Sequence, residues 1–230
     1  MLKTGAARLP GCRGSGRLKG NLRQYTGLPP PIPATDRYVF MRHYRPVENR
    51  HFRALRIKDK RISGLGFYQC TFEGCEFTAL SLASCAFEQC EFINCSLSNL
   101  THQHLTVLSV RFQACKVLGI QWESLNFPLS FCMTGSKLIY NSFHGNSLPE
   151  IEFSHCNLID TQFTRCDLRK SNFTGSEFIH TTFEHCCLNG ANFLDSEGLV
   201  LDAESNAIND VSLPLEAALG LLHKYRLTIR

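Results

Sequence analysis

Cysteine is the residue in this chain with the most chemistry to offer. Twelve cysteines occur in 230 residues, and nine share one spacing rule: Cys70, Cys75, Cys85, Cys90, Cys95, Cys115, Cys156, Cys166 and Cys186 each stand two residues before a large apolar residue or its equivalent place. Thiols in such numbers suit disulfides, a metal centre or packing. A tetrahedral zinc site draws on C-x-x-C pairs, whereas the common spacing here is five. Packing is the favoured account, because free cysteine behaves as a small buried hydrophobe and many free thiols suit a reducing cytosol. His102 and His104 in "THQHL" are the other metal-ligand types that stand close together, and no further ligand lies within evident reach. Read first as a neutral histidine bonded to backbone, His102 is otherwise ejected by a local loop, with metal binding a distant third. No nucleophile, base and orienting group form a set, and no phosphate-binding glycine loop occurs, so the chain reads as a non-enzyme without a cofactor.

The spacing itself calls for an element with an unusual period. Large apolar residues recur every five positions, from Phe67, Phe72 and Phe77 through Trp122 and Phe127, with only His102 polar. After one extra residue the series continues from Leu138 and Phe143 to Leu188 and Phe193, all of it Leu or Phe. A strand alternates every 2 residues and a helix repeats every 3.6, so a period of five belongs to neither. With the centre and the position two before it turned inward, the other three of each five must carry the charges. All 19 Asp, Glu, Lys and Arg residues between Ser63 and Gly198 do fall there, as the cost of an unpaired buried charge requires. Residues twenty apart match in kind, Phe143 with Phe163 and Phe183, and Leu148 with Leu168 and Leu188. Four fives make one circuit, which predicts a coil of four short sides. Adjacent coils lie ~4.8 Å apart, giving roughly six coils and a rod of about 30 Å.

The run "CNLIDTQFTRCDLRKSNFTGSEF", residues 156–178, together with the centres over about 52–197, resembles the pentapeptide-repeat family. That resemblance implies an all-β fold, a right-handed quadrilateral β-helix, here with a short C-terminal helix. Residues 1–48 read as a basic, disordered extension, 49–198 as the solenoid, and 199–230 as a capping or dimerisation segment. Residues 1–40 lack the apolar core of a signal peptide and read either as a targeting or nucleic-acid-binding arm or, preferably, as a dispensable extension. No stretch reaches the ~20 apolar residues of a membrane span. The break at about 128–137, marked by Pro128, Met133 and Thr134, reads equally as a protruding partner loop or a tolerated kink, since proline withdraws a ladder donor. Pro214 opens a helical pattern in which Leu215, Leu219, Leu222 and Tyr225 cap the last coil, join two chains, or do both.

The cysteine-rich opening repeats, the mid-chain break, "DLRKSNFTGSEF" and "SLPLEAALGLL" are most similar to a topoisomerase-protection subgroup. It comprises the Qnr quinolone-resistance group, the McbG microcin-immunity protein and the albicidin-resistance protein. The resemblance implies a cytoplasmic homodimer, joined through the C-terminal segment, that binds DNA gyrase or topoisomerase IV and shields it from a poison by mimicking DNA. Charge is compatible: residues 1–62 carry +12, 63–198 carry −7 and 199–230 carry −1. Glu152, Asp160, Asp167, Glu177, Glu184, Asp195 and Glu197 are the outward acids assigned to the partner surface, although each taken singly also reads as solvated surface. Glu177 and Glu197 are expected one coil apart. A scaffold solenoid binding some other protein is the alternative, and direct DNA binding would have to rely on residues 1–62, since phosphates repel an acidic rod.

Overall fold

The computed structural model describes residues 44–123, 125 and 129–224. Strands of three or four residues, each spanning one centre and its two neighbours, turn the chain through four walls and pair in parallel with the coils above and below. The first wall begins at Arg45–Glu48, the second at His51–Arg53, the third at Arg56–Lys58 and the fourth at Arg61–Ser63. Partners are twenty apart, as in Phe92 with Phe72 and Phe163 with Phe143.

Each corner turns on one residue in the left-handed region. Positive φ recurs two residues after the centres on both sides of the break, as at Asn49, Ala54, Asp59 and Gly64. Glycine reaches that region freely and Asn, Asp and His more readily than most, which explains why Gly64, Gly74, Gly119, Gly145 and Gly175 share one phase of the five.

The centres pile into columns. Phe143, Phe163 and Phe183 stack with centroids 4.7 and 5.0 Å apart and planes within 5°. On the opposite wall Phe153, Phe173 and Phe193 stack at 5.4 and 4.9 Å, and the rings of these two opposite walls meet edge-on. The second inward site is small because its side chain reaches back to a backbone carbonyl. The Cys95 thiol donates to the Phe72 carbonyl at 3.2 Å, Cys166 to Phe143 at 3.3 Å and Ser176 to Phe153 at 2.6 Å. The cysteines therefore fill space and satisfy backbone acceptors. All eleven described cysteines are free.

The break leaves two walls intact. On the second wall Val110–Gln113 pairs with Phe131–Thr134, and on the third Lys116–Leu118 pairs with Lys137–Ile139, each at an offset of 21 instead of 20. The extra residue falls between the centres Trp122 and Met133. Pro128 lies outside the described residues. Met133 is not a loop residue: paired with Phe112, it is a fully buried centre, and Thr134 ends the same strand.

Two boundaries differ from the expected ones. The ladder starts at Arg45, and single parallel bridges carry it past Gly198 through Cys187 with Ala207 and Asn192 with Ser212, so the rod has more than six coils. Gly198 interrupts the Leu and Phe pattern because a Cβ there would sit 2.3 Å from the Phe178 carbonyl oxygen. The described outward charges are exposed or half-buried, with one exception. On the first wall Tyr68, Ala86, Glu88, Thr106 and Leu108 are covered, Glu88 to 6% exposure.

Candidate interaction surface

The seven acids assigned from the sequence do not form one stripe. Asp167 lies on the first wall, where it bridges to Ser147 and Cys187, and Glu152 on the second, next to Asn172. Glu177 and Glu197 are bridged directly on the third wall, one coil apart, and Glu184 ends a fourth-wall strand. Asp160 and Asp195 occupy corners with φ of 47° and 57°.

Their partners differ as much as their places. A bidentate contact ties Asp167 to Arg169, with Nε to Oδ1 at 2.8 Å and Nη2 to Oδ2 at 2.6 Å. Asp160 lies 3.3 Å from His180 Nδ1. Asn172 donates to Glu152 at 2.9 Å and Asn157 to Glu177 at 2.6 Å. Toward the N-terminal end, acids pair with arginines of the neighbouring coil, Glu73 with Arg53, Glu76 with Arg56 and Glu91 with Arg111. Exposed pairs of this kind contribute little to stability, but they cancel the field of the acid they hold.

The uncancelled field lies at the other end. Residues 171–223 contain eight acids and not one Lys or Arg, whereas residues 45–62 contain seven Lys and Arg against two acids. The rod is thus basic in its first coil and acidic in its last coils and helix. Asp202, Glu204, Asp210 and Glu216 belong to that acidic end and escaped the sequence reading, which ended the solenoid at Gly198. The cation-free run from 171 to 223 was the signal that could have found them.

Apolar surface gathers at the same end. Leu194, Val200 and Leu215 are exposed, Val200 and Leu215 by 77% and 76%. The helix Leu215–Lys224 meets the core through Ala217, not through Leu215. Leu219 and Leu222 are half-buried, and Tyr225 lies outside the described residues. Among the described residues no cluster of ligands could hold a metal, and no helix is long and apolar enough to cross a membrane. Burial pushes the Cys90 and Cys156 thiols up to about 12.

Residues 131–193 match the family model described as a pentapeptide repeat region. The chain carries a pentapeptide-repeat β-helix. Two solved structures share this pentapeptide-repeat fold, both trypsin-treated variants of QnrB1, a plasmid-mediated fluoroquinolone resistance protein. One is 20% identical over 78% of this chain and 99% of that chain, with a TM-score of 0.60. The other is 19% identical over 79% and 100%, with a TM-score of 0.56. At that identity the likeness establishes the architecture. No curated protein matches this chain.

Proposed function

We propose that this protein binds DNA gyrase or topoisomerase IV and protects the enzyme from an antibiotic that poisons it, acting as an acidic rod in place of DNA. The observation that carries the reading is the cation-free acidic end, residues 171–223, on a fold shared with a fluoroquinolone resistance protein. A channel built for DNA is basic, and a rigid acidic rod is drawn to it with a strength that falls as salt rises. The acidic end carries eight charges over fewer than three coils, about 13 Å at ~4.8 Å per coil, a linear density like that of duplex DNA with its two charges per 3.4 Å but confined to one short stretch of the rod. Shape and contacts at the break must add to charge, and Thr134 at the end of its strand is one place for them.

The same end serves to join two chains. Leu194, Val200 and Leu215 supply exposed apolar area, and a two-fold axis there would bring the acidic ends together at the middle of a double-length rod. The basic first coils would then lie at its tips. Residues 1–40 are an extension dispensable for this role, and the protein works in the cytoplasm by binding alone, without catalysis.

The test is a supercoiling assay with purified gyrase and a fluoroquinolone. Protection at low protein concentration supports the reading, and neither protection nor binding to either topoisomerase removes it. A scaffold solenoid for another protein is then the reading left standing. It is favoured by the arginine pairing that neutralises Glu73, Glu76 and Glu91 on the N-terminal coils.

A further inference from the structure

The two halves of the rod are packed differently. In the C-terminal half Phe143, Phe153, Phe163, Phe173 and Phe193 are completely buried, whereas the N-terminal half encloses an axial cavity of about 390 Å³, lined from Val47 in the first coil to Trp122 in the fourth. Its surface is apolar throughout. Even His102 gives it no polar atom, its Nε2 being bonded to the Gln121 carbonyl at 2.6 Å. At ~4.8 Å per coil, the three steps from Ile62 to Trp122 make it about 15 Å long. It opens at the first coil. There the centres Val47, Phe52, Ile57 and Ile62 are only half-buried, whereas Phe72, Phe77 and Leu82 in the next coil are buried.

The mouth is ringed by cations. In the later coils the inward site two residues before a centre never holds a charge, and its thiols reach back to the coil before, as Cys70 does to the Val47 carbonyl at 3.3 Å and Cys85 to the Ile62 carbonyl at 3.5 Å. Arg45, Arg50, Leu55 and Lys60 occupy that site on the four walls of the first coil, and no described coil precedes it. Leu55 lines the cavity, and the three cations stand exposed around its opening. Arg53, Arg56 and Lys58 of the same coil are held by Glu73, Glu76 and Asp59, but among the described residues no acid pairs with Arg45, Arg50 or Lys60. Backbone donors are free there too. Thr71 and Ser81 donate to the Arg50 and Lys60 carbonyls of the coil before, and the matching N–H groups of His51 and Arg61 have no such acceptor among the described residues. Cations on an open sheet edge discourage edge-to-edge pairing, yet outward sites would serve that end equally and need no hollow behind them. An empty cavity costs stability in proportion to its volume, and the filled C-terminal coils show that the repeat does not demand one.

We propose that the open end of the first coil binds a slender amphiphile with an anionic head, a free fatty carboxylate being the simplest member of the class. The alkyl chain enters the apolar cavity along the axis, and the carboxylate stays at the mouth among Arg45, Arg50 and Lys60. Burial of the chain supplies the affinity, and the cations select the head. This site lies at the opposite end from the acidic surface and does not depend on the topoisomerase reading.

Trp122 lines the inner end of the cavity and is the only tryptophan of the chain, so its emission reports occupancy. Titration of the full chain with dodecanoate at pH 8, below its micellar concentration, is expected to give a saturable change in Trp122 emission and a rise in Tm. Dodecyltrimethylammonium, with the same chain and the opposite charge, should bind about tenfold more weakly or worse. Hexanoate, which leaves most of the cavity empty, should also bind at least about tenfold more weakly. Arg45→Glu, Arg50→Glu and Lys60→Glu combined should reverse the preference between the two heads. Ile57→Phe narrows the mouth by stacking on Phe77, as Phe52 does on Phe72, and should weaken dodecanoate several-fold while keeping a cooperative melt. Should it fail to fold, Leu55→Phe on the half-buried lip is expected to do the same. No saturable response to dodecanoate overturns the proposal, as does equal binding of the two heads by the unmodified chain. Undiminished dodecanoate binding by the charge-reversed protein, or by a folded mouth variant, overturns it as well.

Discussion

Glu197→Lys tests whether the acidic end is kept for a partner at the expense of stability. Glu177 and Glu197 are bridged on the third wall, so two carboxylates of like charge stand one coil apart, about 5 Å along the rod. At that separation in water two unit charges repel by about 0.8 kcal/mol, and screening at 0.15 M salt, with a Debye length of ~8 Å, brings this to about 0.4 kcal/mol. Lysine at 197 removes the repulsion and substitutes an attraction of similar size, a stabilisation of about 1 kcal/mol, within the range of cross-strand pairs. For a domain of this length that is a Tm increase of roughly 2–4 °C. Glu197→Gln should give about half of it, and in 1 M salt most of the gain should vanish. The same substitution places a cation in a stretch that has none, so protection of gyrase should require several-fold more protein. Scanning calorimetry at low and high salt, beside the supercoiling assay, reads both. A lysine variant that is no more stable at low salt would show that the two carboxylates do not feel each other. One that protects as well as the unmodified chain would separate the acidic end from the function.

The columns and corners give further measurable outcomes. Phe163→Ala removes a fully buried ring stacked on Phe143 and Phe183 and should cost about 3–5 kcal/mol in urea unfolding, against under 1.5 kcal/mol for Phe163→Leu; a cost near 1 kcal/mol for the alanine would mean that the columns do not hold the rod. Burial raises Cys90 and Cys156 to about 12, above an ordinary thiol, so their contribution to stability is complete below about pH 9 and is lost as pH rises from 9 toward 12. Each should add about 1.4 kcal/mol per pH unit to the alkaline loss, and Cys90→Ala should flatten the curve by one such share. At pH 8 both thiols should resist iodoacetamide until the chain is unfolded, which mass spectrometry of the labelled peptides would show. Gly198→Ala puts a Cβ 2.3 Å from the Phe178 carbonyl and strains a φ of +69°, so its Tm should fall, and an unchanged melt would argue against that close approach.

The walls were legible because burial in a coil imposes one inward centre per five residues, and Phe143, Phe163 and Phe183 carry that demand in their spacing. The corners carry it too, in the phase of Gly64, Gly74 and Gly145, yet they pass unnoticed beside the larger apolar signal, since Ala54, Gln69 and Tyr140 also adopt positive φ. What the pattern could not reveal is where it ends. Gly198, Ser205 and Ser212 look like the loss of the repeat, but ladder hydrogen bonds join backbones and need no particular side chain, so the coil continues to Ser212. The one extra residue after Phe127 was legible, but not that the second and third walls stay paired across it at an offset of 21 with Met133 as a buried centre.

The acids were legible as outward and no further, since a period of five separates inside from outside without saying what an exterior acid is for. The structure sorts them by what already accounts for each. Asp160 and Asp195 sit where the backbone needs a left-handed residue, a place aspartate fills more readily than most, so the turn alone explains their type. Asp167 is held by Arg169, and Glu152 accepts from Asn172, so local bonding explains those two. Glu177 accepts from Asn157, but Glu197 is different: it occupies no corner, and its stacking on Glu177 repels. An arrangement that costs stability and that no turn or ion pair requires is the kind a binding partner preserves. The information about function therefore lies less in the number of acids than in the two that the fold, left to itself, would have kept apart.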